Sequence, residues 1–112
     1  MPRVKQLKQG LATILTVSEA LIGDLSQELQ ENIRTCLDAG DLHLLVDCHQ
    51  VTAFDSTALE TLLSCSRLAR RKGGTIKLVH LNEVCRDILV ATRIEPFLEV
   101  YADIPQALQS CL

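Results

Sequence analysis

Apolar and polar residues along the chain follow two spacings in turn, and each change of spacing marks a new element. Leu11 to Val17 (LATILTV) has the short apolar run of a strand, and Val4 to Lys8 reads as a weaker partner joined to it through Gln9-Gly10. Leu25, Leu29, Ile33 and Leu37 then recur every four residues, which predicts one buried face of an amphipathic helix. Asp24 or Ser26 is placed to cap its start, and Gly40 suits a left-handed exit at its end. Leu42 to Cys48 (LHLLVDC) is almost continuously apolar, as expected of a central strand covered on both faces. Leu59, Leu62, Leu63 and Leu68 mark a second helix, which runs out in Arg70-Arg71-Lys72 and a Gly73-Gly74 turn. Basic residues in the last turn with glycine beyond are the usual C-terminal signals. Thr75 to Leu81 (TIKLVHL) is a third clear strand, and Asn82 can cap a helix carrying Val84, Ile88, Leu89 and Ala91. Phe97 to Val100 is expected as a short last strand, and Asp103-Ile104-Pro105 opens a terminal helix through Leu112.

The order β-β-α-β-α-β-α-β-α alternates strand and helix after its first hairpin. Such alternation implies parallel strands joined by right-handed crossovers, hence an α/β fold. The expectation is a mixed, mostly parallel sheet of four to five strands packed with about four helices, in one domain spanning residues 1–112. No repeat, low-complexity tract or interdomain linker interrupts it. A compact chain of this length should have a radius of gyration of about 13 Å.

Composition narrows the classes of function. Apolar residues at 47% and charged residues at 22% fit a globular domain and exclude a disordered one. The longest unbroken apolar run, Ile88 to Ala91, is far short of a membrane span. Met1 to Gly10 carries Arg3, Lys5 and Lys8 with no apolar stretch after them, so a secretory signal is not expected and a cytoplasmic location is. A net charge of −3 lends no electrostatic support to nucleic-acid or anionic-membrane binding. With no Trp, and with Phe54, Phe97 and Tyr101 as the aromatics, the core must be aliphatic and there are few platforms on which bases could stack. The five cysteines (Cys36, Cys48, Cys65, Cys85, Cys111) form no CxxC pair. Cys48 beside His49, with His43 or His80, offers metal-ligand atoms, but the thiols read as small apolar core residues, and neither metal nor cofactor is expected.

In open α/β sheets, functional loops lie at the carboxyl ends of the strands, where helix N-termini also point. The most informative such loop is Gln50 to Leu59 (QVTAFDSTAL), which places an acid and two hydroxyls at a helix start. A phosphate on either hydroxyl would meet exposed backbone N–H groups and the positive end of the helix dipole. The same residues have a structural reading: Thr57 and Glu60 satisfy the Ser/Thr-x-x-Glu capping box, with Asp55 or Ser56 as alternative caps. Enzyme readings find no support. Gly73-Gly74 is not followed by a phosphate-loop lysine. A triad of Ser56, His49 and Asp47 lacks the Gly-x-Ser-x-Gly elbow. A receiver-type phosphoacceptor at Asp47 lacks both its early acidic pair and its late lysine. No catalytic residue is expected.

Leu42 to Cys48, then Val51 and Phe54-Asp55-Ser56-Thr57-Ala58-Leu59, then Leu62-Leu63, resemble the STAS domain family, which includes bacterial anti-sigma factor antagonists. Gly73 to Leu78, Leu81-Asn82 and Val84 fit the family's next turn, strand and helix, so the resemblance covers Val4 to Leu112. It implies a phosphorylation-regulated binding module. Thr57 matches the phosphoacceptor, with Ser56 the alternative, and Asp55 matches the preceding acid. Unphosphorylated, such a protein would bind a serine/threonine kinase of anti-sigma type and release a sigma factor. Phosphorylated, it would let go, and a phosphatase would reset it. The implied partner surface is Asp55, Ser56, Thr57, Ala58 and Glu60, together with Leu21 and Ile22. Ala58 stands where the family has glycine, and Glu19-Ala20-Leu21-Ile22 stands where antagonists have Gly-Glu-Leu-Asp. An exposed Leu21-Ile22 pair would suit a more apolar contact. A different function within the family would be a constitutive adaptor docking on the ATPase of a lipid-transport ABC system.

Overall fold

The computed structural model describes residues 2–112. The chain runs β1 (Val4–Gln9), β2 (Ala12–Val17), α1 (Leu25–Asp38), β3 (His43–Asp47), α2 (Ser56–Arg71), β4 (Thr75–Val79) and α3 (Glu83–Ala91). A 3-10 turn (Glu95–Phe97), β5 (Glu99–Tyr101) and α4 (Ile104–Gln109) complete it. One five-stranded sheet has the order β1-β2-β3-β4-β5, with β1 antiparallel to β2 and every later pair parallel. The radius of gyration is 12.5 Å, that of a compact chain of this length.

The central position of β3 explains its composition. Leu44 and Val46 face the larger core with Leu15, Val17, Ile76 and Leu78, and α1, α2 and α3 close that core with Leu29, Ile33, Leu62, Cys65 and Leu89. Leu45 points to the other face, where Ala12, Ile14, Val79 and Ala107 of α4 form a thinner layer. Leu44, Leu45 and Val46 have no exposed surface at all. Each fully buried aliphatic side chain contributes about 1.5–3 kcal/mol. Cys36, Cys48, Cys65 and Cys85 are buried free thiols. Burial pushes Cys65 up to about 11 and Cys48 higher still. These thiols are therefore packing groups, not nucleophiles.

The thinner face holds a buried cation. Lys77 donates to Glu99 at 2.8 Å, and its ammonium lies 5.3 Å from the Tyr101 ring centre. Burial pushes the Glu99 carboxyl up, but hydrogen bonds from Lys77 and Tyr101 outweigh it and hold the group below its usual range.

Several expected boundaries shift, each for a local reason. Asp24 holds the N-cap position of α1 but makes no side-chain cap hydrogen bond and pairs with Arg3 instead, while Ser26 is buried with its hydroxyl unpartnered. β4 stops at Val79 because His80 takes a left-handed backbone (φ +60°). The last strand starts at Glu99 because Pro96 sits inside the 3-10 turn. The terminal helix ends at Gln109, where the hydroxyl of Ser110 donates back to the Ala107 carbonyl at 2.6 Å. Gly40 has the left-handed exit expected of it. Gly74 is required by crowding, since a Cβ there would collide with the Leu42 carbonyl.

Candidate functional site

The loop from β3 to α2 is tied down on two sides before it reaches its hydroxyls. On one side, Leu21 and Phe54 form an isolated parallel bridge. The Leu21 N–H donates to Ala53 O at 3.0 Å, and the Asp55 N–H reaches Leu21 O at 3.4 Å. On the other side, the Asn82 side-chain amide donates to the carbonyls of Val51 and Thr52 at 3.3 and 3.4 Å. The Asn82 carbonyl oxygen meanwhile caps α3 by accepting from Cys85 N–H at 2.7 Å. The loop is thereby fastened to the segment after β2 and to the start of α3.

Asp55 is the N-cap of α2. One carboxylate oxygen accepts from Ala58 N–H at 2.8 Å and the other from Gly23 N–H, also at 2.8 Å. Gly23 has φ +59°, a left-handed conformation that glycine adopts without strain. The Gly23 and Ala58 N–H groups hold the Asp55 carboxyl below the usual carboxylate range. The expected Thr57–Glu60 capping box is therefore not formed. Ser56 and Thr57 are the first two residues of the helix, one step too far along to cap it.

Capping by Asp55 leaves the two hydroxyls free. Ser56 and Thr57 are both exposed, and neither hydroxyl makes a hydrogen bond among the described residues. Glu60 is exposed three positions beyond Thr57, on the same side of the helix. Ala58 is fully buried, so its share in the site is its backbone N–H. Leu21 and Ile22 separate. Leu21 is fully buried in the larger core, which corrects its expected role in an apolar contact, whereas Ile22 is 51% exposed. Leu21 is drawn inward because its backbone pairs with Phe54 in an isolated bridge, so the next residue projects to solvent.

No triad forms from Ser56, His49 and Asp47. His49 does meet Asp47, with Nδ1 3.0 Å from Oδ1, but the Ser56 hydroxyl bonds to neither. The conceivable ligand grouping around Cys48 does not assemble either. Its thiol lies 3.7 Å from the Val46 carbonyl in the core, and His43 sits at the opposite end of β3. Instead, His49 and His80 converge on Asp47, a juxtaposition the sequence reading missed. Missed as well were Gly23, Phe54 and the loop-bracing role of Asn82. The sequence signal for Gly23 is a lone glycine just before a helix, and that for Phe54 is an aromatic just ahead of the acid and hydroxyls.

Fold and site together define an α/β domain with a hydroxyl pair displayed at a helix start. The STAS domain family model matches residues 3–107, and the chain belongs to that family. Among solved structures, it is similar to a candidate anti-sigma factor antagonist from Thermotoga maritima, TM1081, with a TM-score of 0.88 and 18% identity over 96% of this chain and 92% of that one. An anti-sigma factor antagonist from Mycobacterium paratuberculosis gives 0.81 and 17%, covering 96% and 91%. The phosphorylated form of SpoIIAA, a Bacillus cell fate determinant, gives 0.72 and 12%, covering 97% and 99%. At these identities the likeness is one of fold. No curated protein sequence matches the chain. Among the described residues, no helix is long and apolar enough to cross a membrane.

Proposed function

We propose that the protein is a phosphorylation-regulated binding module of the anti-sigma factor antagonist type, with Thr57 the acceptor and Ser56 the alternative. It acts by association, not by turnover. One observation carries the reading: Asp55 takes over the helix cap, so two exposed, unbonded hydroxyls stand in the first turn of a well-formed helix. SpoIIAA, which shares the fold, has been solved as an anti-sigma factor antagonist in its unphosphorylated form and also in a phosphorylated form.

The switch is electrostatic. In the unphosphorylated state the helix start, with Ile22 beside it in the adjoining loop, docks on a partner of the serine/threonine kinase, anti-sigma type. Phosphate adds about −1.5 to −2 charge, next to the Asp55 carboxylate and on the Glu60 side of the helix. Burying that charge unpaired in a contact surface costs several kcal/mol, against the ~1.4 kcal/mol that changes affinity tenfold. Release follows without refolding, because Asp55 is already locked by Gly23 and Ala58. A phosphatase restores the binding state.

The test is fragment-mass analysis of the protein purified from its native host with phosphatases inhibited. Phosphate on Thr57, absent in Thr57→Ala and accompanied by loss of the co-purifying partner, is the expected result. Absence of phosphate under every growth condition, with an ATPase bound constitutively, would overturn the reading.

A further inference from the structure

We infer that Asp47, His49 and His80 form a binding site for a divalent transition-metal ion of the zinc class, separate from the hydroxyl pair and independent of the proposed switch. One donor atom from each residue lies within 4.8 Å of the others. His80 Nδ1 is 2.9 Å and His49 Nδ1 3.0 Å from the same Asp47 oxygen, which also accepts from the His49 backbone N–H at 3.1 Å. Among the described residues nothing donates to the second Asp47 oxygen, which leaves it free to bind an ion.

Donor chemistry and spacing both suit zinc. Two imidazoles and one carboxylate are ligands that zinc takes at about 2.0–2.2 Å, so neighbouring donors in a tetrahedral site stand about 3.3 Å apart. The two histidine-to-Asp47 spacings need to open by only a few tenths of an ångström once the ion replaces the two Nδ1 protons, and the histidine-to-histidine spacing lies within 4.8 Å. Asp47 is buried at the floor, while the His49 and His80 side chains are 51% and 33% exposed. The cluster is therefore reachable from solvent and leaves room for water in a fourth position.

Its placement also departs from strand alternation. Asp47 and Val79 are register partners, and Leu78 before Val79 faces the larger core. Continued alternation would send His80 toward that core, away from Asp47. The left-handed turn at His80 (φ +60°) instead brings its ring to Asp47. An ion held there would join the ends of β3 and β4, two residues before Asn82, one anchor of the β3–α2 loop.

The experiment titrates the chelator-stripped, reduced full chain with ZnCl2 by calorimetry and with CoCl2 by visible spectroscopy. One ion per chain is expected, with visible cobalt d–d bands and no thiolate-to-cobalt charge-transfer band. His80→Gly suits the left-handed backbone, so it keeps the fold while removing a ligand. It should lose more than the roughly 10–100-fold in affinity that loss of a mere supporting partner brings. His49→Ala, at a half-exposed side chain, should lose a similar factor, and Cys111→Ser should lose nothing. Zinc should raise the melting midpoint of the wild type and not that of His80→Gly. No saturable binding, a thiolate band, or wild-type affinity in both histidine variants would overturn the assignment.

Discussion

Asp47 and Asp55 both stand at the carboxyl end of the sheet, yet they are held by opposite means. Two backbone N–H groups, from Gly23 and Ala58, grip Asp55. Two imidazoles, from His80 and His49, meet Asp47, with one backbone N–H beside them. Backbone amides keep their protons when a zinc-class ion is near, whereas an imidazole nitrogen can exchange its proton for the metal. Asp55 is thus a fixed anchor that leaves the neighbouring hydroxyls as the variable part. At Asp47 the donors themselves are the variable part.

Both carboxylates depend on β3, so the largest effect comes from removing that strand. Leu45→Asp would bury an unpaired charge in a residue with no exposed surface, at a cost comparable with the whole stability of a domain. The variant should show no cooperative melt and no folded circular-dichroism spectrum; a soluble, folded Leu45→Asp would disprove the central placement of β3. Next in size is Asp47→Ala, which takes away the acceptor shared by two rings. A loss of about 2 kcal/mol is expected, read as a fall of roughly 10 °C in the melting midpoint.

Asp55→Ala should cost less, a few degrees, because water can reach the freed N–H groups at an exposed helix start. If Asp55→Ala proved the more damaging of the two, the ranking of buried over half-buried carboxylate would be reversed. The pH dependence sharpens the contrast. Asp55 is held below its usual range, so its charged form supports the fold above the unfolded-state value. That support is lost as pH falls through the folded value. The advantage of wild type over Asp55→Asn should therefore be full at neutral pH and shrink below about pH 4, measured as the gap between their melting midpoints. Smallest of all is Thr57→Ala, at an exposed hydroxyl that bonds to nothing. It should move stability by no more than about 0.5 kcal/mol in either direction. A large loss would mean that Thr57 carries the structure of the helix start.

Local patterning carried much of this protein. The four-residue spacing of Leu25 to Leu37 and the nearly continuous apolar run around β3 located elements in the right order, because burial on one face or on two imprints different periods on a sequence. The loop with an acid and two hydroxyls was legible too, since helix starts draw on a narrow set of residues.

Which of those residues caps the helix was decided by tertiary structure. Asp55, Ser56 and Thr57 are all competent caps, and the choice falls on Asp55, whose second oxygen also meets the Gly23 N–H brought from the segment after β2. Leu21 and Ile22 are equally apolar, yet backbone pairing with Phe54 buries one and exposes the other. His80 joins Asp47 through a single left-handed residue that no spacing encodes. Sequence by itself determined the elements and the chemistry on offer, because those follow from each residue's own propensity and burial. Tertiary structure alone decided which groups meet, because a hydrogen bond is settled by tenths of an ångström between segments distant along the chain.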